Sequence, residues 1–132
     1  MQAQKENIRQ AGPGRGLGTK EQNRTVIRRG EIRYINGVRT TGSEQGGRRP
    51  AIIVSNDTGN RYSPVVEVVY LTTAEKTRLP THVAISSAPR PSTALCEQVF
   101  TVGKERVDRC AGRATAAEMD RIGDALRVSL GL

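Results

Sequence analysis

Two pairs of residues at strand–loop junctions carry side chains suited to phosphate chemistry. Arg48-Arg49 precede the aliphatic run Ala51-Ile52-Ile53-Val54, and Thr72-Thr73 follow the apolar stretch from Val65 to Leu71. A guanidinium is a planar, permanently charged fork that matches two phosphate oxygens, and a threonine hydroxyl adds one more donor. That pair suits a reaction whose substrate supplies its own nucleophile. An RNA 2′-OH attacking the adjacent phosphate is such a case: the protein need only stabilise the charge that develops. Other routes are less well served. Acid–base catalysis by two imidazoles needs a second histidine, and the chain has only His82. Two-metal catalysis needs clustered carboxylates, whereas Glu31, Glu44, Asp57, Glu67, Glu75 and Glu97 are scattered singly. Strands also bring distant carboxylates together, so this weighs against metal without deciding it. A Ser-His-Asp triad stays open, although no G-x-S-x-G elbow is present. Arg49 also reads simply as an extended residue before Pro50, and Thr72 as an ordinary strand residue.

Composition narrows the partners. The formal net charge is +8 over 132 residues, which favours a polyanion, because neutralising phosphates releases condensed counterions. The surplus is uneven: residues 1–50 hold eleven of the 21 Lys and Arg but only four of the 13 acidic residues. Cys96 and Cys110 form no CxxC or Cys/His spacing, so neither a zinc site nor another metal centre is expected. Cys96 reads as a buried apolar residue, and unpaired thiols fit a reduced, cytoplasmic setting. No apolar run is long enough to span a bilayer, and the polar start Met1-Gln-Ala-Gln-Lys lacks the apolar region of a secretory signal. No membrane partner is expected.

The elements that must position these residues are mostly strands. Residues 1–25 are polar, basic and glycine-containing, and read as a disordered arm ahead of one domain over 26–132. Weak alternation from Val26 to Ile35 gives a first strand around Ile32 to Ile35. Residues 36–49 read as a long functional loop, Ala51 to Val54 as a buried strand, and 55–63 as a second polar loop. Val65 to Leu71, His82 to Ile85 and Ala94 to Val102 read as further strands. Thr115-Ala-Ala-Glu118 is a capping box. Behind it Met119, Ile122 and Leu126 recur at helical spacing, with Ala125 and Leu130 near the same face. Short strands, Gly-rich loops and one terminal helix suggest a small barrel.

The stretch Gly42-Ser43-Glu44-Gln45-Gly46-Gly47-Arg48-Arg49-Pro50, followed by an aliphatic strand and Asn56-Asp57, resembles the hallmark loop of MazF/PemK toxins. Similar segments follow in family order. They are Ile27-Arg28-Arg29-Gly30-Glu31-Ile32, Gly59-Asn60-Arg61-Tyr62-Ser63-Pro64, Leu79-Pro80-Thr81-His82-Val83, Leu95-Cys96-Glu97-Gln98-Val99 and the tail from Ala125 to Leu132. The resemblance covers about residues 27 to 132. It implies a mostly β fold with a C-terminal helix, a small SH3-like or CcdB-like β-barrel. It implies a homodimeric toxin of a type II toxin–antitoxin system that cleaves single-stranded RNA, mRNA included, at specific sequences. Neither metal nor cofactor is involved, and the products carry a 2′,3′-cyclic phosphate and a 5′-OH. The expected partner besides RNA is an acidic, MazE-like cognate antitoxin. By matching position the catalytic arginine falls on Arg49 and the catalytic threonine on Thr72, with Thr73 as the alternative hydroxyl. Ser43, Glu44 and Gln45 fall in the loop framing the site. Leu79, His82, Glu97 and Gln98 fall where family members touch RNA bases or the antitoxin tail. The chain departs from the family in its 25-residue basic arm and in the short, Pro-rich segment Ser86 to Ser92. A CcdB-like gyrase poison and a non-catalytic basic RNA-binding module are the rival readings.

Overall fold

In the computed structural model, residues 26–38, 47–74 and 78–132 are described; the basic arm 1–25 and the loop residues Ser43, Glu44 and Gln45 lie outside them. Among the described residues six strands form one antiparallel sheet: β1 Glu31–Val38, β2 Gly47–Ile53, β3 Val65–Thr72, β4 His82–Ile85, β5 Ser92–Gly103 and β6 Val107–Arg113. Helix α1 spans Asp57–Tyr62, α2 spans Ala116–Leu130, and a 3-10 turn covers Lys104–Arg106. The strand order is β4-β5-β3-β2-β1-β6.

Connectivity forces this sheet to curl. In that order β5 and β6 stand four strand spacings apart, about 19 Å if the sheet were flat. Yet Gly103 connects to Val107 through a three-residue turn, a reach of at most about 14 Å. One apolar cluster accordingly joins Val102 of β5, Val66, Val68 and Tyr70 of β3, Ala51 and Ile53 of β2, Ile35 of β1 and Val107 of β6. The opposite face carries a second cluster, in which Ile32, Ile52, Leu71, Val83, Ile85 and Cys96 meet Ile122 and Ala125 of α2. Strand alternation sorts the two sets. Cys96 is fully buried, and burial, with Glu97 beside it, pushes its thiol up to about 11.

Several element boundaries differ from the sequence reading. The supposed 36–49 loop is narrower, because β1 runs to Val38 and β2 begins at Gly47. Gly37, at φ +76°, forms a bulge between Asn36↔Arg48 and Val38↔Gly47, a conformation that favours glycine. The 55–63 loop holds α1. Its Asn56 side chain caps the Gly59 amide at 2.7 Å, and its buried residue is Asn60, bonded to the Ser55 carbonyl at 2.9 Å. An apolar pattern cannot reveal a helix whose inward residue is an amide. Strand β6 was missed because only Val107 in it is buried. Leu130, expected on the inner face of α2, is 57% exposed, while Ile122 and Ala125 are buried.

The capping box at α2 also ties the helix to the site. Thr115 Oγ1 accepts the Glu118 amide at 3.1 Å, and Glu118 Oε1 accepts the Thr115 amide at 2.9 Å. Glu118 Oε2 accepts the Ser86 amide at 2.8 Å, which holds the start of the Ser86–Ser92 turn against α2. Burial would raise the Glu118 carboxyl, but the Thr115 amide, the Ser87 hydroxyl and the amide and hydroxyl of Ser86 outweigh it and pull it down to about 2. A depressed native pKa adds stability above the unfolded value near 4.5 and loses it as pH falls towards 2. Glu118→Gln is therefore expected to lose about 2–3 kcal/mol at neutral pH. Chemical denaturation at several pH values should show the wild-type advantage shrinking between pH 4.5 and 2. A constant difference over that range would contradict the assignment.

Candidate active site

Arg49 and Thr72 meet at the place where β2 and β3 part. The ladder between these strands begins at Ala51↔Tyr70, and Pro50, immediately before it, has no N–H to extend it. The opening is a cleft of about 430 Å³ lined by Tyr34, Arg49, Pro50, Leu71, Thr72, Thr73, Ala88, Pro89, Arg90 and Ser92. Both residues singled out as catalytic therefore line one cavity.

The guanidinium of Arg49 is fixed by two contacts. Its Nη2 donates to the Leu71 carbonyl at 3.2 Å, one residue before Thr72. Its Cζ lies 4.9 Å from the centroid of Tyr70, within cation–π range. Tyr70 is in turn braced by Phe100, with ring centroids 5.1 Å apart. The Thr72 hydroxyl oxygen accepts the Ala74 amide at 3.1 Å. That bond orients the oxygen and leaves its own proton free to be donated. Thr73 also lines the cleft, but Thr72 has this orienting bond.

Sequence reasoning did not single out Arg90, which is exposed and lines the same cleft. It lies between Pro89 and Pro91 in the shortened β4–β5 turn, where two fixed φ angles restrict the backbone. The signal was present in the Pro-Arg-Pro triplet, but nothing in the sequence showed that the turn folds over the β2–β3 gap. Arg49 and Arg90 give the cleft two cations, Thr72, Thr73 and Ser92 give it hydroxyls, and its described lining contains no carboxylate.

The residues expected to touch RNA bases lie elsewhere. Leu79 and His82 line a groove of about 700 Å³ between β4 and α2, with Arg78, Thr93, Arg121, Asp124 and Val128. Ser92 faces the first cleft and Thr93 the second, as successive strand residues must. His82 Nε2 lies 3.1 Å from Glu97 Oε2, and Thr81 Oγ1 donates to Glu97 Oε1 at 2.9 Å. Partial burial would raise the Glu97 carboxyl, but its own backbone amide, His82 and Thr81 together hold it below its usual value. Glu97 and Gln98 are exposed in a bulge of β5, between Val69↔Val99 and Leu71↔Ala94. Leu79 and His82 thus line a groove other than the Arg49–Thr72 cleft, Glu97 is bonded to His82, and none of these residues or Gln98 lines that cleft.

Comparison with known proteins agrees with this geometry. Residues 28–130 match the family model described as the PemK-like, MazF-like toxin of type II toxin–antitoxin systems. Endoribonuclease MazF of Staphylococcus epidermidis is 39% identical over 112 residues, covering 81% of this chain and 93% of that protein. Endoribonuclease EndoA of Bacillus subtilis is 37% identical over the same length, covering 81% of this chain and 97% of that protein. A mycobacterial endoribonuclease solved in complex with its cognate antitoxin superimposes with a TM-score of 0.68 at 34% identity, covering 80% of this chain and 96% of that one. A curled antiparallel sheet with one C-terminal helix, an Arg/Thr cleft where two strands part, and a family match over most of its length together make this chain a member of the PemK/MazF toxin family.

Proposed function

We propose that this chain is the toxin of a type II toxin–antitoxin system, an endoribonuclease that cleaves single-stranded RNA in the cytoplasm at specific sequences without a metal ion. The observation that carries the reading is the shared cleft of Arg49 and Thr72, whose described lining offers cations and hydroxyls and no carboxylate. In the reaction the ribose 2′-oxygen forms a bond to phosphorus as the bond from phosphorus to the 5′-oxygen breaks. The products are a 2′,3′-cyclic phosphate and a 5′-OH. Arg49 and Thr72 donate to the non-bridging oxygens as charge accumulates on them. The 2′-OH proton passes to a base outside the described lining, and the departing 5′-oxygen takes a proton from water, so that the exchange balances. Arg90 adds a positive field from the other wall.

We also infer a homodimer and an acidic antitoxin partner. Leu79 and Val128, both exposed, line the groove beside α2, and Leu130 and Leu132 are exposed at the end of the same helix; exposed apolar side chains favour association. The net charge of +8 would steer an acidic antitoxin segment as it would RNA. The basic residues 1–25, ahead of a catalytic domain over 26–132, add to that attraction. Among the described residues no helix is long and apolar enough to cross a membrane.

The test is incubation of the purified protein with long single-stranded RNA in excess EDTA. Cleavage to fragments with 2′,3′-cyclic phosphate ends at a recurring sequence is expected. Intact RNA across diverse sequences would overturn the proposal.

A further inference from the structure

Three strands aim charged or aromatic side chains at one point beside the cleft. Tyr34 of β1 lines it. Arg48 of β2 pairs across from Asn36 while Pro50 pairs across from Tyr34, so Arg48 is a diagonal neighbour of Tyr34 on the same face. On the other side, β6 is bulged between Arg33↔Cys110 and Ile35↔Val107. The bulge sets Asp108 and Arg109 opposite Tyr34, as bulges re-aim side chains. The Arg48 guanidinium stands 4.4 Å from the Tyr34 ring centroid and that of Arg109 stands 5.3 Å from it. Asp108 holds Arg48 at 3.2 Å, and its own backbone carbonyl is held by the buried Arg33 at 2.9 Å. Arg48 remains 44% exposed, and Arg109 is exposed. Among the described residues, two guanidinium groups stand against one carboxylate, which leaves the patch positive.

We propose that Tyr34, Arg48 and Arg109 form a subsite for a nucleotide flanking the scissile phosphate, which holds its phosphodiester by charge and its base by stacking. The proposal rests on the reading of the cleft as an RNA-cleaving site and adds a contact track along β2, β1 and β6. An aromatic ring with guanidinium planes is the pairing on which single-stranded nucleic acid stacks and through which its backbone is neutralised. An acidic peptide would use the charges but gain nothing from the planar stack, so the combination favours RNA. Because stacking accepts every base, the subsite adds affinity rather than sequence preference.

The test measures binding of a fluorescent, fully 2′-O-methylated RNA of about twelve nucleotides, which cannot be cleaved, over a range of salt concentrations. Wild type is compared with Arg48→Gln/Arg109→Gln, whose melting temperature is checked, and with Arg48→Lys/Arg109→Lys. The Gln pair should bind about tenfold more weakly, and its slope of log K against log salt should be shallower by about 1.4, the value for two lost contacts to a single strand. The Lys pair should keep the slope and lose part of the affinity, since an ammonium does not stack as a guanidinium plane does. Unchanged affinity and slope in a folded Gln pair would overturn the subsite, even while wild type cleaves RNA. Wild-type affinity in the Lys pair would overturn the stacking part. Failure of wild type to cleave RNA, with the slope still reduced in the Gln pair, would instead remove the proposed activity and leave the subsite standing.

Discussion

Replacing Arg49 by alanine is expected to lower the single-turnover cleavage rate by about 10²-fold or more, with affinity for a non-cleavable RNA changed only a few-fold. The magnitude follows from removing one preorganised donor from a site of developing charge. The asymmetry between rate and affinity follows because a phosphorane carries more charge on its equatorial oxygens than the ground-state diester, so the lost interaction is mainly one of the transition state. Arg49 is held ready for this role before substrate arrives. The Leu71 carbonyl fixes one end of the fork at 3.2 Å, and the Tyr70 ring supports its face at 4.9 Å. Arg49→Lys keeps a charge but loses the planar fork, so it should recover only part of the rate. A guanidinium offers donors and fixed charge in a planar fork, so the role assigned to it is electrostatic and not proton transfer. A rate within threefold of wild type in Arg49→Ala, measured by single-turnover assay on an RNA that wild type cuts, would remove Arg49 from the mechanism.

How far this site was legible depends on which physical signal each residue leaves in the sequence. Strand β4 was read at its observed bounds, His82–Ile85, and the start of α2 at its capping box. Both depend on local patterns that tertiary packing reinforces. Arg49 and Thr72 flank aliphatic runs, so their positions beside strand cores followed from those runs, although Arg49 lies within β2 and Thr72 closes β3. That they share a cleft depends on β2 pairing with β3, which no local pattern fixes; the family resemblance supplied that expectation. Arg90 was invisible for the opposite reason. Its turn is irregular, and its tether is the set of bonds from Ser86 to Glu118, 32 positions away, which no local pattern reveals. Strand β6 and the Tyr34–Arg48–Arg109 cluster escaped because an edge strand with one buried residue has no period-two apolar pattern, although it decides where Arg109 stands.

Arg33 shows the same limit most sharply, and it carries the largest expected effect on stability. Sequence placed this arginine in a first strand, where an exposed head would be ordinary. In the structure it is 1% exposed. Its Nε and Nη2 contact Glu31 Oε1 at 3.0 and 2.9 Å. Its Nη1 and Nη2 donate to the carbonyls of Asp108 and Val26, each at 2.9 Å. Glu31, itself 7% exposed, also accepts the Arg28 amide at 3.0 Å and lies 3.5 Å from Arg113. One side chain thus ties the segment before β1 to β1 and β6, and steadies the carbonyl beside the proposed stacking subsite. Arg33→Met keeps much of the apolar stem but takes from a buried carboxylate its buried cationic partner, leaving it the Arg28 amide and the exposed Arg113, and removes a donor from two carbonyls. A loss of about 3–5 kcal/mol is expected, a large share of the roughly 5–15 kcal/mol that holds such a domain folded. At about 4 °C per kcal/mol the melting temperature should fall by about 12–20 °C. The burden lies in the abandoned charge more than in the lost bonds. The double variant Glu31→Leu/Arg33→Met should therefore regain most of the deficit, because exchanging both partners of a buried pair for apolar groups is often neutral or better. Urea unfolding of the wild type, both single variants and the double closes the cycle. Additive losses, with the double variant the least stable of the four, would show that Arg33 and Glu31 act independently and that the hub is not an ion pair in any energetic sense.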